Sequence, residues 1–169
     1  MGKFDWFWKA MGSTTERNNK KSKAVVANAH GLIEELSLLD DASLASAVAS
    51  TVRDGAIADK PRFLAGLSVA SQRTLGMTPF EVQNQAVLRL LEGDVIQMAT
   101  GEGKTLVGAM AATGFALQGK RVHLITVNNY LAARDAEWMR PLVEFFGLSV
   151  AAVTESSTRE ERVSAYRSD

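Results

Sequence analysis

The spacing of hydrophobic residues predicts helices in the first half of the sequence. Between residues 24 and 76, apolar side chains recur every three or four positions in three stripes, each of which predicts one buried helix face. The stripes are Val25, Ala29, Leu32, Leu36 and Leu39; Leu44, Val48 and Val52; and Phe63, Leu67 and Ala70. Start signals stand at Asp40-Asp41 and Asp59-Lys60-Pro61, and stop signals at Gly55 and Gly76. We therefore expect a helical preface over residues 24–76.

A further helix start lies in "TPFEVQ". Thr78 is the predicted N-cap, Pro79 takes the first helical position, and Glu81 closes a T-x-x-E capping box. The helix is expected to run to about Leu91 and to stop at Gly93.

After Gly93, short apolar runs alternate with helical patterns. Residues 95–99, 122–127 and 149–153 predict strands, the first of them buried, and residues 104–117 and 130–146 predict helices. A last helix start is signalled at Ser157-x-x-Glu160 or Thr158-x-x-Glu161. Strands that alternate with helices of this length form a parallel sheet with right-handed crossovers. The expected fold class is therefore α/β, with a helical preface followed by a partial parallel sheet flanked by helices.

The first 23 residues form an amphipathic basic segment. Large apolar side chains fall at i, i+3, i+4 and i+7, and basic residues outnumber acidic ones; the apolar set is Phe4, Phe7, Trp8 and Met11. One interpretation is a helix that lies on an acidic membrane surface or in a partner's groove. The other is a helix packed on its own domain and followed by a polar linker, "GSTTERNNKKSK".

Composition narrows the class of protein. A chain of 169 residues with 46% hydrophobic content supports one compact domain, and 19 basic against 19 acidic residues create no global attraction to nucleic acid. There is no cysteine, and the two histidines, His30 and His123, are far apart in sequence, which disfavours a zinc site. No apolar run approaches the roughly 20 residues that span a bilayer, and no secretory signal is evident. We expect a soluble cytosolic protein that is not itself exported.

The segment "TGEGKT" has the position of a phosphate-binding loop, between a predicted strand and a predicted helix. Gly101 and Gly103 allow the backbone N–H groups to face inward, and the helix adds its positive dipole end. Lys104 can reach the β- and γ-phosphates of a nucleotide, and the Thr105 hydroxyl can bind Mg²⁺. The alternative is a glycine-rich turn that binds nothing, which the Lys-Thr pair in this context disfavours.

The loop departs from the strict pattern G-x-x-x-x-G-K-[ST], because Met98 stands where that pattern has glycine. The match is to the shorter form T-G-x-G-K-T, preceded here by Ala99, which is typical of helicase-like ATPases. We therefore expect an incomplete P-loop nucleotide-binding domain over residues 77–169.

An aromatic residue and a carboxamide precede the loop by about twenty residues, Phe80 and Gln83 in "GMTPFEVQ". A carboxamide can donate to the adenine edge and accept from it at once, so Gln83 is a candidate adenine reader. Taken alone, a glutamine on an amphipathic helix is a solvated residue.

Three segments together resemble the first nucleotide-binding region of SecA, the ATPase motor of bacterial protein export. They are "RTLGMTPFEVQ", "MATGEGKTL" and "HLITVNNYLAARDAEWMRPLVEFFGLSV", and the resemblance runs from about residue 24 to the end. The head "FWKAMGSTTERNNKKS" is similar to the accessory SecA of actinobacteria. The resemblance implies a preprotein translocase subunit, cytosolic and peripheral on the inner face of the plasma membrane. Its cofactors would be ATP and Mg²⁺, and its partners a SecY-type channel, preproteins and an acidic membrane surface, with no nucleic acid.

The resemblance also assigns site residues by position. Gln83 would read adenine, Met77 and Phe80 would line the adenine side, Lys104 would hold phosphate and Thr105 would bind magnesium. The phosphate cradle would comprise Thr100, Gly101, Glu102, Gly103, Lys104 and Thr105.

Three residues after the second predicted strand have weaker assignments. In helicase-like motors, the segment that holds Arg134 and Asp135 couples nucleotide state to substrate, although a helix-capping salt bridge explains the pair equally well. Asn129 departs from the family's usual "VNDYLA", which has aspartate there, so any acidic role at that position is in doubt.

No complete catalytic set is evident. Hydrolysis requires an acidic pair that holds magnesium and activates water, and no apolar strand ending in Asp-Glu follows the loop. Family resemblance also calls for a second helicase-like lobe. We therefore expect an N-terminal fragment of an export ATPase that exposes a sheet edge and an apolar face.

Two other functions remain open, a helicase-like nucleic-acid motor and a non-catalytic nucleotide-binding module. A nucleic-acid motor should carry unbalanced basic residues after the second strand. In "NNYLAARDAEWMRPL", Arg134 and Arg140 are balanced by Asp135 and Glu137, which disfavours the motor.

Overall fold

The structure, a computed structural model, describes residues 14–169, with side chains described from residue 19 onward. This part of the chain is mostly helical. Its helices are α1 (Thr14–Ser37), α2 (Asp41–Ala49), α3 (Lys60–Leu75), α4 (Glu81–Leu91), α5 (Lys104–Leu117), α6 (Asn129–Phe145) and α7 (Arg159–Ala165). Its strands are β1 (Val52–Arg53) and β2 (Ala56–Ile57). The predicted aromatic face of residues 4–11 lies outside the described residues.

The helical preface is confirmed, and local hydrogen bonds explain where its helices begin and end. The carboxylate of Asp40 caps α2 by accepting the Ser43 N–H at 2.8 Å, and that of Asp59 caps α3 by accepting the Arg62 N–H at 3.1 Å. Gly76 ends α3 with φ of 68°, a left-handed conformation that favours glycine.

The interpretation of residues 12–23 as a polar linker is wrong from Thr14 onward, because α1 already begins there. Within the polar stretch, one side chain of the helix is covered at Ser22. Ser22, Val26 and Ala29 are buried at i, i+4 and i+7, so the apolar stripe of the preface continues one turn toward the N-terminus.

Val52 was expected to complete the second helical stripe, but it lies in a hairpin. The helix stops at Ala49 because the Thr51 hydroxyl donates back to the Val48 carbonyl at 2.6 Å. β1 and β2 then pair antiparallel across Asp54 and Gly55, which both have positive φ. Two such residues form the turn that matches the twist of a short hairpin.

The hydrophobic core is built around α3, whose residues 63–71 are all buried. α3 contacts α1, α2 and α6, while α4 packs against α1 and α5, and α5 packs against α6. The packing of α4 on α5 positions the site, since it brings the N-terminus of α4 beside the loop that precedes α5.

The predicted parallel sheet is not present among residues 14–169, where β1 and β2 form the only sheet. Residues 95–99, 122–127 and 149–153 have no regular secondary structure. The first of these segments was expected to be buried, yet Val95 is 99% exposed while Ile96 and Met98 pack on the core. A strand is buried on both faces only when helices cover both faces, and here they cover one.

The remaining helices agree closely with the sequence. α5 has the predicted ends, and α6 begins at Asn129 because the Asn128 side chain accepts the Leu131 N–H at 2.9 Å. Of the two signals for the last helix, the one at Thr158 is used, in a capping box with Glu161. None of the described helices is long and apolar enough to cross a membrane.

Candidate phosphate-binding loop

The loop between residue 95 and α5 depends on two glycines with left-handed backbones. Gly101 has φ of 87° and Gly103 has φ of 76°, and other L-residues rarely adopt these values. Gly103 is also the N-cap of α5, a helix of 14 residues. The loop therefore ends where the free N–H groups of the first helical turn create a positive electrostatic potential.

Lys104 lies across this loop. Its ammonium group donates to the carbonyl of Met98 at 3.1 Å and to that of Ala99 at 2.8 Å, and its side chain is exposed. Thr105 follows as the second residue of α5 and is half-buried. The structure thus places a cation and a hydroxyl at the start of the helix, the groups that a magnesium-bound polyphosphate requires.

The carboxylate of Glu102 bonds to the loop backbone. Its Oε2 atom accepts the Ala99 N–H at 2.6 Å, so the side chain turns back toward the start of the loop. Glu102 and Lys104 therefore both contact residues 98–99, one as an acceptor and the other as a donor. These contacts give the loop a closed, compact shape.

Gln83 is only 6% exposed, so its interpretation as a solvated helix residue is wrong. Its Oε1 atom accepts the Phe80 N–H at 2.9 Å, and its Nε2 atom donates to the Glu102 carbonyl at 2.9 Å. The candidate adenine reader and the phosphate loop are in direct contact, across nineteen positions of sequence. The sequence showed that both groups were present and did not show this bond.

The start of α4 differs from the prediction. α4 begins at Glu81 with Phe80 as its N-cap, so Thr78 and Glu81 do not form the expected capping box. The Thr78 hydroxyl instead donates to the side chain of Gln72 at 2.6 Å. Gln83 bonds to the N-cap backbone and so performs the predicted role of Glu81.

Phe80 and Met77 leave apolar surface exposed next to this turn. Phe80 is 72% exposed and Met77 is 44% exposed. An exposed phenyl ring beside a buried carboxamide suits a flat aromatic ligand, because the ring provides a stacking surface and the carboxamide provides directional hydrogen bonds. The donor set of the loop and of this turn therefore fits a nucleotide.

The chain is similar to known proteins over nearly its whole length. The profile of the SecA DEAD-like domain matches residues 7–169. The protein translocase subunit SecA 2 of Corynebacterium efficiens is 62% identical over 169 residues, which are 100% of this chain and 22% of that protein. The protein translocase subunit SecA 3 of Mycolicibacterium vanbaalenii is 49% identical over 165 residues, or 96% of this chain and 21% of that protein.

The chain belongs to the SecA family. It spans about a fifth of the length of the curated relatives it matches. The similarity of the head to accessory SecA proteins agrees with the name SecA 2 carried by relatives in Corynebacterium efficiens and in Corynebacterium jeikeium, the latter 53% identical. The helicase-like character of the family is consistent with the loop described above.

The other residues assigned from the SecA resemblance lie in α6. Arg134 donates to Oδ1 of Asp135 through Nε at 2.9 Å and through Nη2 at 2.6 Å. The predicted salt bridge between the two residues is present, but it lies in the second turn of α6 and is an intrahelical ion pair that does not cap the helix. A coupling role stays a prediction.

Asn129 replaces the aspartate that is usual in the family, and the structure gives this change a local meaning. Its Oδ1 atom accepts the Glu155 N–H at 3.2 Å, and its Nδ2 atom donates to the Glu155 carboxylate at 3.4 Å. An aspartate would keep the first bond and place a like charge beside Glu155.

A cavity of about 530 Å³ lies apart from the phosphate loop, between α5, α6 and residues 122–127 and 149–153. Its apolar lining includes residues 122–127 and 149–153, the segments that the sequence predicts as strands. The Asp169 carboxylate lies at its edge, where it accepts from the N–H and the hydroxyl of Ser149 at 2.9 and 2.8 Å. Both bonds hold the pKa of Asp169 below its ordinary value, and the bond from the Ser149 hydroxyl contributes more than the bond from its N–H.

Proposed function

We propose that this chain binds ATP with Mg²⁺ at residues 100–105, as the nucleotide-binding part of a SecA-type preprotein translocase. The observation that carries the proposal is the contact of Gln83 with the loop, at 2.9 Å from the Glu102 carbonyl. It joins a buried carboxamide to a lysine-bearing glycine loop at a helix N-terminus. Each feature occurs in proteins that bind no nucleotide, and their direct contact in a SecA-family chain favours ATP.

Each group of the site has a definite task in binding. The N–H groups at the start of α5 and the Lys104 ammonium neutralise phosphate charge, and the Thr105 hydroxyl contributes a magnesium ligand. For this, Lys104 exchanges its carbonyl partners, Met98 and Ala99, for phosphate oxygens. Phe80 and Met77 cover the base, and Gln83 bonds to its edge.

ATP supplies a phosphoanhydride bond whose hydrolysis can drive movement. In the whole protein, we infer that this energy moves preproteins through a SecY-type channel from the cytoplasmic face of the plasma membrane, with the protein peripheral on its acidic surface. Relatives that carry the name protein translocase subunit support this inference. Membership of the family likewise supports a helicase-like α/β fold for the whole protein.

A nucleic-acid motor is disfavoured by the partners of the two arginines in α6. Arg134 is paired with Asp135, while Arg140 lies 3.2 Å from Glu137 and 3.6 Å from Glu144 and also donates to the Val150 carbonyl at 3.0 Å. Arginines that are already paired with carboxylates have few free donors and little unbalanced charge for contacts with nucleic-acid phosphates.

Titration of a fluorescent ATP analogue against wild type and Lys104→Ala tests the ATP site. Loss of a charge-assisted phosphate contact should cost about 1.5–3 kcal/mol, or roughly a ten- to a hundredfold weaker Kd. Lys120→Ala, just beyond the C-terminal end of α5, is the matched control and should bind as wild type does. Equal affinity of wild type and Lys104→Ala would refute the assignment of the loop.

A further inference from the structure

The side chain of Gln83 joins two elements that are separate in sequence. One end of its carboxamide fixes the first turn of α4 by accepting the Phe80 N–H, and the other end donates to the Glu102 carbonyl in the phosphate loop. Both bonds are 2.9 Å long, and the side chain is buried. A buried hydrogen bond of this kind holds its two partners in fixed positions, because water does not compete for them.

The packing at Gly103 shows how closely the same carboxamide approaches the loop. A β-carbon added to Gly103 would clash with Nε2 of Gln83. The carboxamide therefore lies directly against the backbone of the residue that caps α5 and precedes Lys104. The direction in which the first N–H groups of α5 point, and the origin of the lysine side chain, both depend on the position of this residue.

We propose that Gln83 is a positioning residue for the phosphate loop, so that it strengthens the binding of polyphosphate even when no base is attached. The proposal rests on the proposed ATP site and adds to it, since reading adenine requires no contact between Gln83 and the loop. By holding Glu102 and Gly103, the glutamine keeps the loop in its phosphate-binding conformation before the ligand arrives. Without it, part of the binding free energy would be used to order the loop. Its removal leaves a gap beside Gly103 and a looser loop.

Inorganic tripolyphosphate is the appropriate probe, because it carries the charge of the nucleotide tail without base or sugar. Its affinity is measured with Mg²⁺ by displacement of a fluorescent ATP analogue from wild type, Gln83→Ala and Gln83→Met. Loss of one buried neutral hydrogen bond should weaken tripolyphosphate binding about three- to tenfold in Gln83→Ala. Gln83→Met keeps most of the volume and adds no charge but loses the donor to Glu102, so it should weaken binding about as much.

Two control variants separate this role from a general loss of structure. Gln85→Ala, on the same helix, should leave tripolyphosphate affinity unchanged. Helix content and thermal midpoint of each variant are recorded, and Gln83→Met tests the bond even where Gln83→Ala unfolds, since it removes the donor without adding charge or leaving a large cavity.

The outcomes distinguish this inference from the proposed function. Unchanged tripolyphosphate affinity in both Gln83 variants would overturn the inference, whether or not ATP binding is weakened. A wild-type protein that binds ATP but not tripolyphosphate would overturn it as well, since the base would then dominate binding. If Lys104→Ala loses tripolyphosphate binding and neither Gln83 variant does, the proposed ATP site stands and the inference about Gln83 is refuted. Failure of Lys104→Ala to affect either ligand would instead refute the proposed function.

Discussion

Gly66 of α3 packs directly against Val48 of α2, so closely that a β-carbon at position 66 would clash with Cγ2 of the valine. Val48 is fully buried and Gly66 lies among the buried residues of α3. The absence of a side chain at Gly66 thus sets the distance between these two helices of the preface.

We expect Gly66→Ala to destabilise the protein, although alanine is the better helix former. Overpacking a tight core contact costs about 1–3 kcal/mol, which exceeds the gain of about 1 kcal/mol in helix propensity. Gly31→Ala in α1 is the matched control, since no atom lies within 4 Å of its added β-carbon, and it should stabilise. Urea denaturation measures both. A Gly66→Ala protein as stable as Gly31→Ala would show that α2 shifts at no cost.

Arg73 is expected to stabilise the junction of α1 and α2. Its guanidinium donates to the Asp41 carboxylate at 2.7 Å and to the carbonyls of Ser37 and Leu39 at 3.0 and 2.6 Å. Arg73→Met should lower the free energy of unfolding by about 1–2 kcal/mol, since two carbonyls lose a donor. Arg62→Met, which loses one exposed ion pair with Glu35, should cost less than about 0.5 kcal/mol. Equal losses in the two variants would contradict this ranking.

Adenine selectivity should depend on Gln83. Its two hydrogen bonds in the structure use one donor and one acceptor position, which leaves one N–H and one lone pair for the base edge. ATP should therefore displace a bound ATP analogue more strongly than GTP does, and Gln83→Ala should bring the two competitors close to equal. If the ratio of ATP to GTP affinity is unchanged in Gln83→Ala, the side chain positions the loop and does not read the base.

The 169-residue chain is expected to bind ATP without turning it over. Phosphoryl transfer gains most of its rate from positioned water and from charge stabilisation at the γ-phosphate, and an arginine from another lobe alone is worth about 10³–10⁵ in turnover. The Glu102 carboxylate accepts the Ala99 N–H, so it is turned toward the loop backbone and is not placed to hold an attacking water.

Phosphate release at saturating ATP should therefore equal that of Lys104→Ala, with or without lipid or preprotein. Release that depends on Lys104 would contradict this expectation. Glu102→Gln would then be the first variant to test as the source of the catalytic carboxylate.

The ends of most helices and the phosphate loop could be predicted because each depends on neighbouring residues. Asp40, Asp59 and Thr158 each cap a helix through an N–H three positions along the chain. Gly101 and Gly103 supply backbone conformations that their own lack of a side chain permits. Such local interactions can be predicted from residue type and spacing, and the structure contains them.

Contacts between distant residues could not be predicted in this way. The sequence correctly predicts that residues 95–99, 122–127 and 149–153 are apolar segments. Whether such segments form a sheet depends on which other backbone segments lie beside them. Among the described residues these three segments do not pair. α1 begins at Thr14 although residues 14–23 are mostly polar, and Ser22 in this stretch is buried, which no local pattern indicates.

The candidate site shows the same division. The sequence by itself determined a glycine loop, a lysine and a nearby carboxamide, since residue type and order define these groups. Only the tertiary structure decided that Gln83 is buried and bonded to the Glu102 carbonyl, because that bond requires α4 to pack against α5. The free energy of that packing comes from apolar surface spread over several helices, and no short segment of sequence records it.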